Sequence, residues 1–265
     1  MNKKFEYSLI QQQAVKILEE YQFNKLPIDP KLLAKKANIV VEPKADCEKG
    51  VSGMLLRNGE DYCIFYATYL GNIGFENFSI AHELGHYFIE GHPEQIFRFG
   101  NIHMSTENFM SDNEIERQAD TFAASLLMPE NLFKDKLTEY EKGLSCIEAM
   151  SRLCNTSLAA TAIRYTQLTD DKIIAIVSTN GIIDYCCISN AVFNLRDIEI
   201  PKKGDKIPKG TATERFSTDS SLLFNQDPLY QETDFRDWLE CRKSKKADEE
   251  AKGLGKYGKV LTVIS

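Results

Sequence analysis

The sequence predicts an α+β protein, and three features carry that prediction. Apolar residues recur at helical spacing in several segments before residue 170, Asn-Gly pairs separate β-rich runs at two places, and short β-rich stretches dominate after residue 170. Residues 8–21 carry Leu9, Ile10, Ala14, Val15, Ile17, Leu18 and Tyr21 on one side, an amphipathic helix. Residues 31–37 follow as a shorter helix, and Asn38-Ile39-Val40-Val41 turns extended. Residues 53–57 and 62–66 flank Asn58-Gly59, a pair suited to the positive φ angles of a tight hairpin turn. From Phe78 to Glu90 the face Phe78, Ala81, Leu84 and Phe88 predicts a helix, with Gly91 placed to end it. A stronger helix is predicted from Asp112 to Met128, with Ile115, Ala119, Phe122, Ala123, Leu126 and Leu127 inward and Pro129 beyond its end. Helices at 146–154 and 158–168 flank Asn155-Thr156-Ser157, and a second hairpin runs over 173–189 around Asn180-Gly181. The pattern then weakens until a short helix near 234–241, a charged, glycine-containing stretch over 242–259 that reads as solvated and mobile, and a strand at 260–264. The predicted organisation is a core at 1–130 with helices on a small, mostly antiparallel sheet, a helical segment at 131–170, and a small α+β region at 171–265.

Composition narrows the function. The 265 residues are 43% apolar and 27% charged with no periodic bias, which excludes collagen-like, low-complexity and wholly disordered chains. No apolar run approaches the ~20 residues of a membrane span, and polar residues at Gln11, Gln12, Gln13 and Lys16 interrupt any signal-peptide core. The seven cysteines suit reduced thiols, so a cytoplasmic protein is expected, with no membrane partner. A net charge of −7 argues against a protein that works by coating nucleic acid. All four histidines, His82, His86, His92 and His103, lie within 22 residues of one another.

His82-Glu83-Leu84-Gly85-His86 is an H-E-x-x-H motif. Residues four apart on a helix share a face, so both imidazoles can reach one metal ion, and imidazole nitrogens in a tetrahedral site suit zinc. Glu83 is then placed to take a proton from a water at that ion. A catalytic zinc site needs a third protein ligand and keeps one position open. Glu116 and Asp120, four apart on the next strong helix, supply a carboxylate ligand and a carboxylate to accept the free N–H of a zinc histidine. Glu114 competes with Glu116 for the ligand role, but Glu116 accompanies the apolar face of Ala119, Phe122 and Ala123 that would pack on the motif helix.

The stretches Asn77-Phe78-Ser79-Ile80-Ala81-His82-Glu83-Leu84-Gly85-His86 and Ile115-Glu116-Arg117-Gln118-Ala119-Asp120-Thr121-Phe122-Ala123-Ala124-Ser125-Leu126-Leu127-Met128-Pro129 together resemble the ImmA/IrrE family of zinc metallopeptidases. The resemblance extends over about residues 10–170. It implies a gluzincin-like core, zinc held by His82, His86 and Glu116, and Glu83 as the base. It also implies a protein substrate, a helix-turn-helix transcriptional repressor, whose cleavage releases stress-response, phage or mobile-element genes. Gln118 departs from the pattern, since relatives often carry a second acidic residue there.

Peptide hydrolysis also needs a donor for the tetrahedral oxyanion besides the metal. His103 ranks first for this role, with His92 and Tyr87 as alternatives. Gly53-Met54-Leu55 offers an edge strand for an extended peptide, against the plainer reading of an internal strand. Residues 145–168 have helix-turn-helix proportions, but the second helix offers a DNA groove little beyond Arg164 and Gln167, so direct DNA binding is disfavoured. The sequence reading is a zinc-dependent endopeptidase acting on a helix-turn-helix repressor. The alternative is a non-cleaving module that binds a repressor or DNA around a structural zinc. Nothing in the sequence specifies an oligomeric state.

Overall fold

The computed structural model describes residues 3–45, 50–106, 113–195, 198–241 and 244–265. The predicted helix start at Asp112 and the first two residues of the 242–259 stretch lie outside these. The chain divides into two compact units, one of residues 1–135 with 151–157 and one of 136–150 with 158–265. The fold is mixed α+β, as the helical periods and hairpin signals require. No helix among the described residues is long and apolar enough to cross a membrane.

The first unit is built on helix α1 (Lys3–Glu20), α2 (Pro30–Lys36), strands β1 (Val40–Lys44), β2 (Val51–Asn58) and β3 (Asp61–Ala67), α3 (Ile73–Phe88), α4 (His92–Ile96), β4 (Ile102–Thr106) and α5 (Glu114–Leu127). Asp29 starts α2 by accepting from the backbone N–H groups of Lys31 and Leu32. The sheet order is β1-β3-β2-β4, antiparallel except for the β1/β3 pair. The β2/β3 hairpin turns at Gly59, whose φ of 65° a residue with a Cβ adopts at a cost. The strand at Gly53 is not an edge: β2 pairs with β3 on one side and β4 on the other, and the edges are β1 and β4. Hydrophobic alternation identifies a strand but not its neighbours, and of the two readings the plainer one of an ordinary sheet strand holds.

Helix α3 starts five residues before its predicted Phe78, because Asn72 caps it by accepting from Phe75 N–H. Gly91 does not end α3. It sits at φ 84° as the residue that opens α4. Almost every side chain of α3 from Phe75 to His86 is buried, so the motif helix lies inside the unit and not on its surface. Gly85 explains how α5 reaches it. A Cβ at position 85 would lie 3.2 Å from Ala119 Cα and 3.3 Å from Phe122 Cβ, so its absence sets the close approach of the two helices.

The second unit contains a five-stranded antiparallel sheet in the order 182–188, 174–179, 259–264, 246–253, 229–234. The hairpin at Asn180-Gly181 forms as predicted, with both residues at positive φ. The short helix expected near 234–241 shrinks to one turn, Phe235–Trp238, closed by a capping box at Asp234. The reading of 242–259 as solvated is overturned by the strand Lys246–Gly253. Its charged residues concealed a period of two: Ala247, Glu249 and Ala251 are buried, and Glu249 accepts from Thr213 N–H at 2.8 Å and Thr213 Oγ1 at 2.7 Å. Cys186 and Cys187 are half-buried on neighbouring positions of a strand, and burial pushes their thiols up to about 12 and about 11. Thiols held that far from ionising suit packing and not redox chemistry.

Candidate metal centre

The centre lies in the first unit, where α3, α5 and β4 meet. The helical spacing of α3 turns His82 and His86 to one side with their Nε2 atoms 3.0 Å apart. Glu116, one turn before Ala119 on α5, reaches the same point, with Oε2 3.2 Å from His82 Nε2 and Oε1 3.6 Å from His86 Nε2. Donors about 2.0–2.1 Å from a tetrahedral zinc lie about 3.3 Å from one another. One donor atom from each of His82, His86 and Glu116 lies within 4.8 Å of the other two, close enough to share one ion, and His103 does not join this set. Two imidazole nitrogens and one carboxylate oxygen suit zinc among the divalent ions, although other first-row metals accept the same donors.

Asp120 stands where the sequence reading put it. His82 donates its Nδ1–H to Asp120 Oδ1 at 2.8 Å, which leaves the Nε2 lone pair for the ion. Glu114 is engaged elsewhere, accepting from Tyr7 Oη at 2.8 Å and pairing with Arg117 at 2.6 Å, so it does not contend with Glu116. Electrostatics follow from this crowding. Burial lowers the pKa of His82, but its hydrogen bonds to Asp120 and Glu116 outweigh that and take it to about 10. His86 has no carboxylate on its far side, and burial takes it down to about 3. Burial would raise Glu116, yet His103, His82 and His86 together hold it well below the usual carboxylate range.

Glu83 is fully buried beside this set; neither carboxylate oxygen makes a hydrogen bond of good geometry, and the Ser105 hydroxyl is its nearest donor. Burial pushes its carboxyl up, against the opposing pull of His82, His103 and the Ser105 hydroxyl. A raised, unpaired carboxylate next to a metal site is the condition of a general base. Its pocket depends on Gly53 of β2, where a Cβ would stand 2.7 Å from Glu83 Oε1. Gly53 pairs with Ser105 of β4 next to a bulge in β2. The sequence reading noticed Gly53 only as strand, since nothing local marks a glycine that faces a carboxylate from another element. We expect Gly53→Ala to destabilise the protein by about 1–3 kcal/mol. In a Glu83→Ala background the same change should cost almost nothing, a coupling that a double-mutant cycle of urea unfolding measures.

The oxyanion candidates separate. His103 faces the site from β4, with Nε2 3.3 Å from Glu116 Oε1 and its ring 4.5 Å from that of His86. His92 lies behind His86, touching it Nδ1 to Nδ1 at 3.3 Å, on the far side of the ring from the donor set. Tyr87 packs edge-on against Tyr62 and Phe88.

Comparisons with known proteins agree with this geometry. Residues 34–164 match the family model of the IrrE N-terminal-like domain, peptidase family M78. That segment contains both motifs and every residue of the centre. No curated protein matches the chain at a significant level. Among solved structures, a Mycobacterium tuberculosis transcriptional regulator is similar in fold, with a TM-score of 0.58 and 13% identity over 96% of this chain and 75% of that one. Through its IrrE N-terminal-like domain the chain belongs to the ImmA/IrrE family, a family of metallopeptidase type.

Proposed function

We propose that the protein is a zinc-dependent endopeptidase that cleaves a helix-turn-helix transcriptional repressor. The observation that carries the catalytic part is Glu83. A purely structural zinc is closed by four protein donors and needs no base. Here three donors converge, the imidazole of His103 stays outside the set, and the buried carboxylate of Glu83 stands beside them with no ion-pair partner of its own. Zinc at this position would supply a Lewis acid that polarises the scissile carbonyl and acidifies a water.

The residues then divide the work. Glu83 accepts the proton of the attacking water at a carboxylate oxygen. After the C–N bond breaks, it returns that proton to the leaving amine. His103 donates Nε2–H toward the oxygen that gains charge as the carbonyl carbon becomes tetrahedral. Asp120 keeps His82 in the tautomer that ligates.

The repressor substrate rests on the resemblance to the ImmA/IrrE family; the solved structure of similar fold named above is a transcriptional regulator. Direct DNA binding is disfavoured by Arg164, the one basic side chain of the 158–168 helix, which is 3% exposed. The test mixes the zinc-loaded protein with the helix-turn-helix repressor encoded beside its gene. One discrete cut is expected, lost on chelation and restored by zinc. A repressor that is bound but stays intact at equimolar protein would favour the non-cleaving alternative.

A further inference from the structure

We propose that the outer face of the first unit's sheet is a docking site for an amphipathic helix of the protein substrate. The inference rests on the reading of the protein as an endopeptidase that acts on another protein.

Residues opposite each other in a ladder point to the same side of a sheet, so the register sorts the side chains of β1 to β4 into two faces. Leu55, Ile64 and His103 are opposite one another and belong to the inner face, against which α3 packs and where the metal centre lies. The alternate residues make two rows that cross all four strands. One is Val40, Cys63, Leu56 and Ile102, and the other is Glu42, Phe65, Met54 and Met104. All but Glu42 are apolar. A sheet with one face in water alternates apolar inward with polar outward, whereas this one carries apolar side chains on both faces. Val40, Ile102 and Met104 are 54%, 56% and 58% exposed, and the central residues of the rows are half-buried. A contiguous exposed apolar surface marks an interaction site.

Size selects the occupant. Strands ~4.8 Å apart and rows ~7 Å apart give a patch of roughly 15–20 Å by 10–15 Å. A stable dimer needs about 800 Å² on each copy, well beyond that footprint. A helix is about 10–12 Å across with its side chains and rises about 1.5 Å per residue, so roughly three turns cover the two rows. Met54 and Met104 lie opposite each other in the second row, and their unbranched side chains adapt to the apolar stripe of a helix. Glu42 closes that row on β1, which favours a helix with a Lys or Arg at that end of its stripe. The docked helix and the metal centre lie on opposite sides of β4, which is an edge of the sheet. About six extended residues, ~20 Å, carry a chain round that edge from one to the other.

The test compares wild type with the double variant Ile102→Thr/Met104→Gln on two probes: the repressor encoded beside the gene, and a short peptide spanning the cut made in it. KM for the repressor should rise about 10- to 100-fold, while kcat, cleavage of the peptide and zinc content stay at wild-type values. An unchanged KM for the repressor overturns the docking site, and so does an equal loss on the peptide, which would mean that the change disturbs the centre itself. The same comparison in a Glu83→Gln background reads the Kd for intact repressor, which should weaken by the same factor. Repressor that is bound but never cut would overturn the endopeptidase reading and leave the docking site to be decided by that Kd ratio; repressor neither bound nor cut overturns both. Sedimentation of the protein alone covers the remaining occupant: a wild-type dimer that the double variant loses would make this face a contact between copies and overturn helix docking. Should the double variant fail to fold, Met104→Gln alone decides.

Discussion

Glu83→Gln is expected to abolish cleavage while leaving about one zinc per chain. Glutamine keeps the shape and cannot accept a proton, so the loss should reach about 10²–10⁴-fold in kcat/KM, the usual contribution of a general base. The ligands are untouched, because Glu83 does not belong to the mutually close donor set. The same change carries a second signature of opposite sign. Burial raises the folded-state pKa of Glu83 above its unfolded value. A carboxylate shifted that way takes up protons on folding, so it costs stability as pH rises from the unfolded pKa through the folded one. Above the unfolded pKa the metal-free wild type bears that cost and Glu83→Gln does not. The metal-free variant should therefore melt at a higher temperature than metal-free wild type, while losing its activity. A variant that keeps cutting would remove Glu83 from the mechanism, and one that loses zinc would make it a ligand.

Zinc binding should release about one proton per ion at neutral pH and tighten steeply as pH rises. The proton comes from His82. In the metal-free protein its two carboxylate partners outweigh burial and bring its pKa to about 10, so at pH 7 an imidazolium stands in the space between Glu116 and Asp120. The ion must displace that proton to reach Nε2. His86, lowered to about 3 by burial, has none to lose. Below the His82 pKa the apparent affinity should then rise about tenfold per pH unit, and level off above it. Calorimetry in buffers of different ionisation enthalpy counts the proton directly. Release of none would mean that His82 is neutral in the metal-free site. Asp120→Asn should reduce both the proton count and the slope, because the largest partner holding that proton is gone.

Local signals carried much of this protein. The capped starts and apolar periods of α3 and α5, the turn residues of both hairpins, and the pairing of His82 with His86 all depend on residues a few positions apart, where spacing dictates geometry. Even Asp120 was legible, because i and i+4 on one helix face the same way and Glu116 was already anchored by its apolar neighbours. The errors have a common origin. The edge at Gly53 that the sequence also allows is absent because a strand's neighbours come from elsewhere in the chain. The strand at Lys246–Gly253 was missed because its alternating alanines were outnumbered by charge, and Glu249, which breaks the expected pattern by being buried, finds its partner at Thr213. His92 follows the H-E-x-x-H helix closely, which makes it an oxyanion candidate in sequence. A one-turn change of direction at Gly91 sends it behind His86 instead.

The chain's own order of residues was enough to bring His82, His86 and Glu116 together beside Glu83, because a helix repeats its geometry and two helices with complementary apolar faces meet in few ways. It could not tell Glu114 from Glu116 with certainty, nor find Gly53, nor assign His92 and Gln118. Those depend on distances between atoms far apart in sequence: a glycine that makes room for a carboxylate from another element, a tyrosine from α1 that occupies Glu114, and an imidazole hydrogen-bonded to a glutamine 26 positions away. Ligation follows from spacing along one helix, but what packs behind a ligand is a property of the folded chain.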